Sequence, residues 1–175
     1  MQRLFKSPGL IPTFALGFSR ATADNPPGLD TWRGMPGTIG FPNRWQFIDE
    51  AAPDDTDYIS QGLGNVGSIY SAGLGLPPTA IETGIIFRVR ARSMGGASPG
   101  TQTFNYDIIR TGFSFSSTGN VLTTSFGTLV HVFTVAEVAA FKAAAGNVAA
   151  LVHGSGLGGA GNDAFEVSWL ELEYD

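Results

Sequence analysis

From Ala164 to Tyr174 apolar and polar residues alternate, and the stretch is rich in β-branched and aromatic side chains. A half-buried antiparallel strand requires this pattern. The alternation changes phase midway: Phe165, Val167 and Trp169 share one face with Glu171 and Glu173, while Leu170, Leu172 and Tyr174 share the other with Glu166 and Ser168. Side chains alternate with period two, so a bulge near Trp169–Leu170 would turn both apolar sets toward the core; without one, each half is covered from a different side. This strand is expected to close a sandwich or barrel, and its truncation to unfold the domain.

Gly84 to Arg92 predicts a second strong strand, with Ile85, Phe87, Val89 and Ala91 facing the core and Ile86, Arg88, Arg90 and Arg92 facing out. Phe104, Tyr106 and Ile108 alternate with Asn105, Asp107 and Ile109 in a third, which Phe113 and Phe115 extend or turn. Residues 116–120, Ser-Ser-Thr-Gly-Asn, have turn composition, and two further strands are expected over 121–126 and 128–133. Tyr58-Ile59, Val66 to Tyr70 and Val148 to His153 predict shorter strands, and 154–162 a flexible loop. One helix has marked ends: Thr134 and Glu137 form a capping box, 135–145 is a good helix former, and Gly146 is the expected stop. Seven or eight short strands with a single helix predict an all-β fold, a jelly-roll-like antiparallel β-sandwich with one short helix and an extended N-terminal arm.

The arm is residues 1–44, and the sandwich domain 45–175. Six prolines and six glycines punctuate the arm, leaving no helical or strand period. It is nevertheless apolar, and Leu4, Phe5, Leu10, Ile11, Phe14, Phe18, Trp32 and Phe41 need shelter, either on this domain or on neighbouring molecules as an assembly arm.

Composition sharpens the picture. The 175 residues suit one domain with its own core; charged residues are only 14%, and 24 glycines are roughly twice the usual share. Short strands, tight turns and surfaces covered by other subunits fit that profile. Net charge of −5 argues against nucleic acid as the main partner. The absence of cysteine excludes disulfides, thiolate nucleophiles and Cys-ligated zinc. Residues 1–23 superficially follow a secretory signal, but Pro8, Gly9 and Pro12 interrupt the apolar run and Arg20 follows it, so the chain is expected to be soluble, not exported and without a membrane span.

Candidate chemistry is sparse. His131 and His153 lie in strand patterns with no acidic or hydroxyl neighbour at a recognisable spacing, and structural roles are expected. Asp54-Asp55-Thr56-Asp57 invites calcium but lacks a longer ligand loop with a terminal Glu, so an acidic turn is the plainer reading. Gly154 to Gly161 lacks the Lys-Ser or Lys-Thr ending of a phosphate loop. Carboxylates for glycoside hydrolysis need only be near in space, and nothing in the sequence selects a pair. Arg88, Arg90 and Arg92 form a possible polar contact face for phosphate or carboxylate, or an ordinary solvated face. Trp32, Trp45 and Trp169 could stack on sugars, although Trp is more often core or interface. No catalytic residue, cofactor or metal site is expected.

Trp45, Asp55-Thr-Asp-Tyr-Ile59, Phe87-Arg-Val-Arg-Ala-Arg92, Thr134-Val-Ala-Glu-Val138 and Val167-Ser-Trp-Leu-Glu-Leu-Glu173 together resemble a pattern in structural proteins of tailed bacteriophages and prophages. Those proteins are similar to jelly-roll or carbohydrate-module-like β-sandwiches, and the likeness covers residues 45–175. It implies a virion component without enzymatic activity. The expectation is therefore a capsid cement or decoration protein, made in the host cytoplasm and carried on the capsid surface. Its partners would be the major capsid protein and copies of itself, as trimers, with no nucleic acid and no membrane. The alternatives are a carbohydrate-binding or tail-associated adhesion module, with a glycan as partner, and a glycan-cleaving enzyme.

Overall fold

The computed structural model describes residues 17–24, 32–35, 44–61, 69–79, 81, 83–94, 103–155 and 165–175. In chain order the strands are β1 (Gly17–Arg20), β2 (Ala23–Asp24), β3 (Arg33–Met35), β4 (Tyr58–Ser60), β5 (Ile69–Gly75), β6 (Ile85–Ser93), β7 (Thr103–Thr111), β8 (Phe113–Asn120), β9 (Gly127–Val132), β10 (Ala145–Ser155) and β11 (Phe165–Tyr174). The helix α1 (Val135–Ala143) lies between β9 and β10, and a 3-10 turn covers Arg44–Phe47.

The strands form two antiparallel sheets packed as a sandwich, the expected fold class. A six-stranded sheet runs β3-β4-β11-β6-β9 with β1 also on β11, and a five-stranded sheet runs β2-β5-β10-β7-β8. Their inner faces meet through Ile85, Phe87 and Val89 on β6, Leu170 and Leu172 on β11, Tyr106 and Ile108 on β7, and Ala150 and Val152 on β10, all buried. Phe87 lies 5.2 Å from Tyr106, and Phe104 meets Phe165 edge-on at 5.5 Å. Each pair links one sheet to the other.

β11 has a register shift between Val167 and Trp169, beside the expected bulge. The extra residue reconciles the two phases, since Phe165, Val167, Leu170, Leu172 and Tyr174 all join the core. Trp169 is buried too, but it pairs with outward-facing Arg90 and lies under the 48–57 segment, donating from Nε1 to the Glu50 carbonyl at 3.1 Å. On the far edge of β11, β4 pairs with Glu166 and Val167, and β1 with residues from Glu171 to Tyr174. In the notch between them, the Leu170 amide donates to the Ile48 carbonyl at 3.4 Å.

The described part of the expected arm is not irregular. β1 and β3 join the six-stranded sheet and β2 joins the five-stranded one, so the expectation that 1–44 holds no strand is corrected. Pieces of two to four residues need no hydrophobic period, because existing sheet edges supply their partners. Buried polar bonding fixes them. Asp24 Oδ2 accepts from the Arg44 amide (3.0 Å) and Arg44 Nε (3.2 Å), while Oδ1 accepts from the Trp45 amide (2.9 Å) and Tyr70 Oη (2.8 Å). Arg44 Nη1 donates to the Trp32 carbonyl at 2.8 Å, and the two ionic side chains are 2% and 0% exposed. Asp24 thus caps the 3-10 turn and neutralises a buried guanidinium.

Other boundaries also differ from expectation. Residues 116–120 belong to β8, because the chain reverses earlier at Gly112, whose φ of 90° only glycine adopts readily. Residues 121–126 are not a strand; they carry the chain from an edge of one sheet to an edge of the other. The expected 66–70 strand extends further, since β5 runs on to Gly75 along β10, and its first residues, 66–68, lie outside the described residues. The capping box is present, with Glu137 donating its amide to Thr134 Oγ1 at 3.3 Å and accepting the Thr134 amide at 2.7 Å. The helix stops at Ala143, before Gly146: Ala144 is already extended, and the Phe141 carbonyl accepts from the Ala144 amide at 3.2 Å and from Arg110 at 2.8 Å. The predicted loop over 154–162 lies largely outside the described residues.

A charge-balanced sheet face as candidate functional site

Alternation on β6 turns Arg88, Arg90 and Arg92 to the outer face of the six-stranded sheet, as predicted. The register sets outward residues of β11 and β1 beside them, Glu166 by Arg92 and Glu171 between Arg88 and Arg20. Each guanidinium is taken by a carboxylate of the same chain. Arg92 pairs with Glu166, Arg90 grips Asp55 through two bonds of 2.7 and 2.6 Å, Arg88 reaches Glu173 at 2.5 Å and Glu171 at 3.4 Å, and Arg20 reaches Glu171 at 2.7 Å. Four cations (Arg20, Arg88, Arg90, Arg92) thus stand against four anions (Asp55, Glu166, Glu171, Glu173), so the ladder itself is balanced, with Asp49 and Asp54 close by.

Burial and crossed pairing hold these groups in place. Glu166 and Glu171 are buried, each with guanidinium partners on the exposed side. Hydrogen bonding to Arg90, aided by Ser168 Oγ at 3.0 Å, holds the Asp55 carboxyl below the usual range, and Asp55 in turn raises Arg90. All four carboxylates are taken up in ion pairs with guanidinium groups.

Aromatic rings frame the stripe. At one end the Arg92 guanidinium lies 4.4 Å from the Phe126 ring and 5.5 Å from that of Tyr58, and the half-buried rings are 5.9 Å apart. At the other, Arg20 lies 5.2 Å from Phe18, which is 45% exposed. From Arg92 to Ile86 along β6 the stripe is roughly 20 Å long. Val130 and Val132 on β9 continue the same face, 54% and 63% exposed.

Among the proposed arm contacts, Trp32 is corrected to core: it is 1% exposed, with its ring 6.1 Å from Tyr70 of the same chain. Leu4, Phe5, Leu10, Ile11, Phe14 and Phe41 lie outside the described residues. The three tryptophans form no exposed platform, because Trp32 and Trp169 are buried and Trp45 packs against the core. The acidic turn is used internally, Asp54 Oδ1 accepting from the Thr56 amide and hydroxyl at 2.9 and 2.8 Å. No cluster of three metal-ligating side chains occurs among the described residues.

Both histidines have carboxylate neighbours in space. His153 Nε2 lies 3.4 Å from Asp107 on the outer face of the five-stranded sheet. His131 Nε2 lies 3.4 Å from Glu137, a close approach without hydrogen-bond geometry, and its ring stacks on Phe115 at 3.8 Å. Glu50 and Asp57 are the carboxylate pair that sequence could not select. Burial, then repulsion by Asp57, pushes Glu50 up to about 7, and burial raises Asp57 as well. Neither lines the two cavities at the α1 end of the molecule.

No family model matches the chain, and no curated protein matches it. Similar solved structures include one described as "Family 16 Carbohydrate Binding Module-2", with 17% identity, a TM-score of 0.45, and coverage of 71% of this chain and 82% of that one. Another, "CBM4 structure and function", has 14% identity, a TM-score of 0.42, and coverage of 70% and 73%. No helix among the described residues is long and apolar enough to cross a membrane.

Proposed function

We propose that the chain is a non-catalytic binding module for a neutral polysaccharide, held along the outer face of the six-stranded sheet. The observation that carries this reading is the ladder of four arginines against four carboxylates, framed by Tyr58 and Phe126 at one end and Phe18 at the other. Sugar hydroxyls suit paired planar donors and acceptors, and the C–H faces of pyranose rings suit aromatic faces. A balanced ladder has little field with which to gather a polyanion, which turns the phosphate and nucleic-acid readings aside. Because its side chains already hold one another, little side-chain entropy is lost on binding.

Affinity electrophoresis of the full chain through gels containing soluble neutral polysaccharides tests the proposal. Retardation on at least one neutral polymer is expected, weakened on the order of tenfold by Tyr58→Ala or Phe126→Ala in proteins with unchanged circular dichroism. Free migration in a full panel of neutral glycans would sink it.

A second reading keeps the chain as a virion assembly protein, bridging the major capsid protein and copies of itself. The exposed Val130 and Val132 on edge strand β9 favour it, since an apolar edge suits contact with another protein chain. Light scattering that finds a monomer at every concentration, together with no retention on capsids, would remove it.

A further inference from the structure

Charge pairing singles out a second place on the molecule. Of the described basic side chains, Arg20, Arg44, Arg88, Arg90 and Arg92 all hold carboxylates. Arg110 and Lys142 have no carboxylate partner among the described residues, and both line one cavity of about 290 Å³ where the end of β5, the end of β7 and the last turn of α1 meet. In a chain of net charge −5, this cavity is a local exception. The sheet-face ladder does not extend to it.

Arg110 is fixed before any ligand arrives. Nε donates to the Gly146 carbonyl at 3.0 Å, Nη1 donates to the Phe141 carbonyl at 2.8 Å, and the guanidinium lies 5.2 Å from the Phe141 ring. Nη2 donates to no described group. Closing the end of α1 explains two of the three nitrogens and leaves the third, together with the exposed Lys142 ammonium, at the cavity. The remaining wall is apolar, with Leu76, Pro77, Pro78 and Ile81, and Thr79 adds a hydroxyl.

We propose that this cavity binds a carboxylated sugar, a hexuronate, with its carboxylate between Arg110 and Lys142 and its ring against Pro77 and Pro78. Its volume falls at the low end for small-molecule sites, suited to a single ring. A guanidinium nitrogen beside an ammonium matches a carboxylate. The Phe141 carbonyl at the negative end of α1, with the Gly146 carbonyl just beyond it, offsets part of the local positive charge, which suits a monoanion better than a phosphate dianion. The cavity shares no lining residue with the neutral-polymer face, so either reading can fail alone.

Amide chemical shifts of the isotope-labelled full chain, titrated with sodium D-glucuronate, D-glucose, acetate and inorganic phosphate, test it. Saturable shifts at Thr79, Ile81, Arg110 and Lys142 are expected with glucuronate and not with glucose. They weaken about tenfold in Lys142→Gln and further in Lys142→Glu, substitutions at an exposed position that leave the Arg110 cap in place. Absence of saturable shifts, or shifts unchanged in both variants, overturns the proposal. Acetate binding as tightly as glucuronate removes the sugar, and tighter phosphate binding makes the cavity a bare anion site; either overturns it. A tri-uronate separates the two sources: binding like the monomer supports a uronate residue of an acidic polysaccharide, and exclusion supports a free sugar acid. These amides lie apart from Tyr58 and Phe126, so a failed neutral-glycan experiment leaves this result readable.

Discussion

Replacing Asp24 with Asn changes one oxygen to an amino group at the point where the N-terminal strands are fastened to the body. The carboxylate accepts four hydrogen bonds, two at each oxygen, and is the counter-ion of a guanidinium only 2% exposed. Whichever way the amide turns, its NH₂ faces donors: the Arg44 amide and Nε on one side, or the Trp45 amide and Tyr70 hydroxyl on the other. The hydroxyl can rotate away, but the buried guanidinium loses the Asp24 charge. Breaking a buried pair from one side costs about 3–5 kcal/mol, a large part of the roughly 5–15 kcal/mol that holds a domain together. At about 2–4 °C per kcal/mol for a chain of this size, the expected fall in Tm is roughly 6–20 °C. Guanidinium unfolding followed by tryptophan fluorescence is the natural assay, since Trp32 supplies a carbonyl to Arg44 and Trp45 an amide to Asp24. Asp24→Leu combined with Arg44→Met should lose less than the sum of the single changes. A loss below about 1 kcal/mol for Asp24→Asn would refute the idea that this pair anchors the N-terminal strands.

Further expectations concern other parts of the fold. The folded pKa of Glu50 lies above the ordinary 4.5, at about 7, so the folded state binds the extra proton; the stability this contributes is fully present below about 4.5, is lost as pH rises through about 7 and then levels off, and Glu50→Gln should flatten that slope in denaturant midpoints. Thr134→Ala removes the hydroxyl that accepts the Glu137 amide at 3.3 Å and should cost about 1 kcal/mol, read from denaturant midpoints; a neutral result would mean the box contributes little. Phe104→Ala, emptying a buried site beside Phe165, should cost about 3–5 kcal/mol, and an unchanged midpoint would contradict the assigned core.

What could be read from the sequence depended on how far apart the partners lie. The capping box of α1 links residues three apart, and strict alternation placed the arginines of β6 on the outer face. The phase change in the last strand likewise pointed to its bulge. The candidate site was harder to see, because Arg90 and Asp55 are 35 positions apart and Arg20 and Glu171 are 151 apart. The register of β1, β6 and β11 brings Arg20 to Glu171, and the passage of the 48–57 segment over the same face brings Asp55 to Arg90. His153 and Asp107 show the same blindness, since sequence spacing says nothing until β10 is laid on β7. Residues 116–120 misled for another reason: Ser, Thr, Gly and Asn suit turns, but an edge strand with a wet outer face accepts them equally well. The short N-terminal strands carried no period at all, and their anchor, Asp24, is a single polar residue.

The position of β11, flanked on one side by β6 and on the other by β4 and β1, sets an order of events for a chain emerging from the ribosome. Residues 17–20 wait through some 150 positions of synthesis before their mates exist, whereas β7 and β8 can zip together as soon as they appear. β2 and β3 find their partners β5 and β4 early, but until β11 arrives β1 and its exposed Phe18 have no strand to lie on. The rate of translation through the second half of the message should therefore govern how much protein escapes clumping.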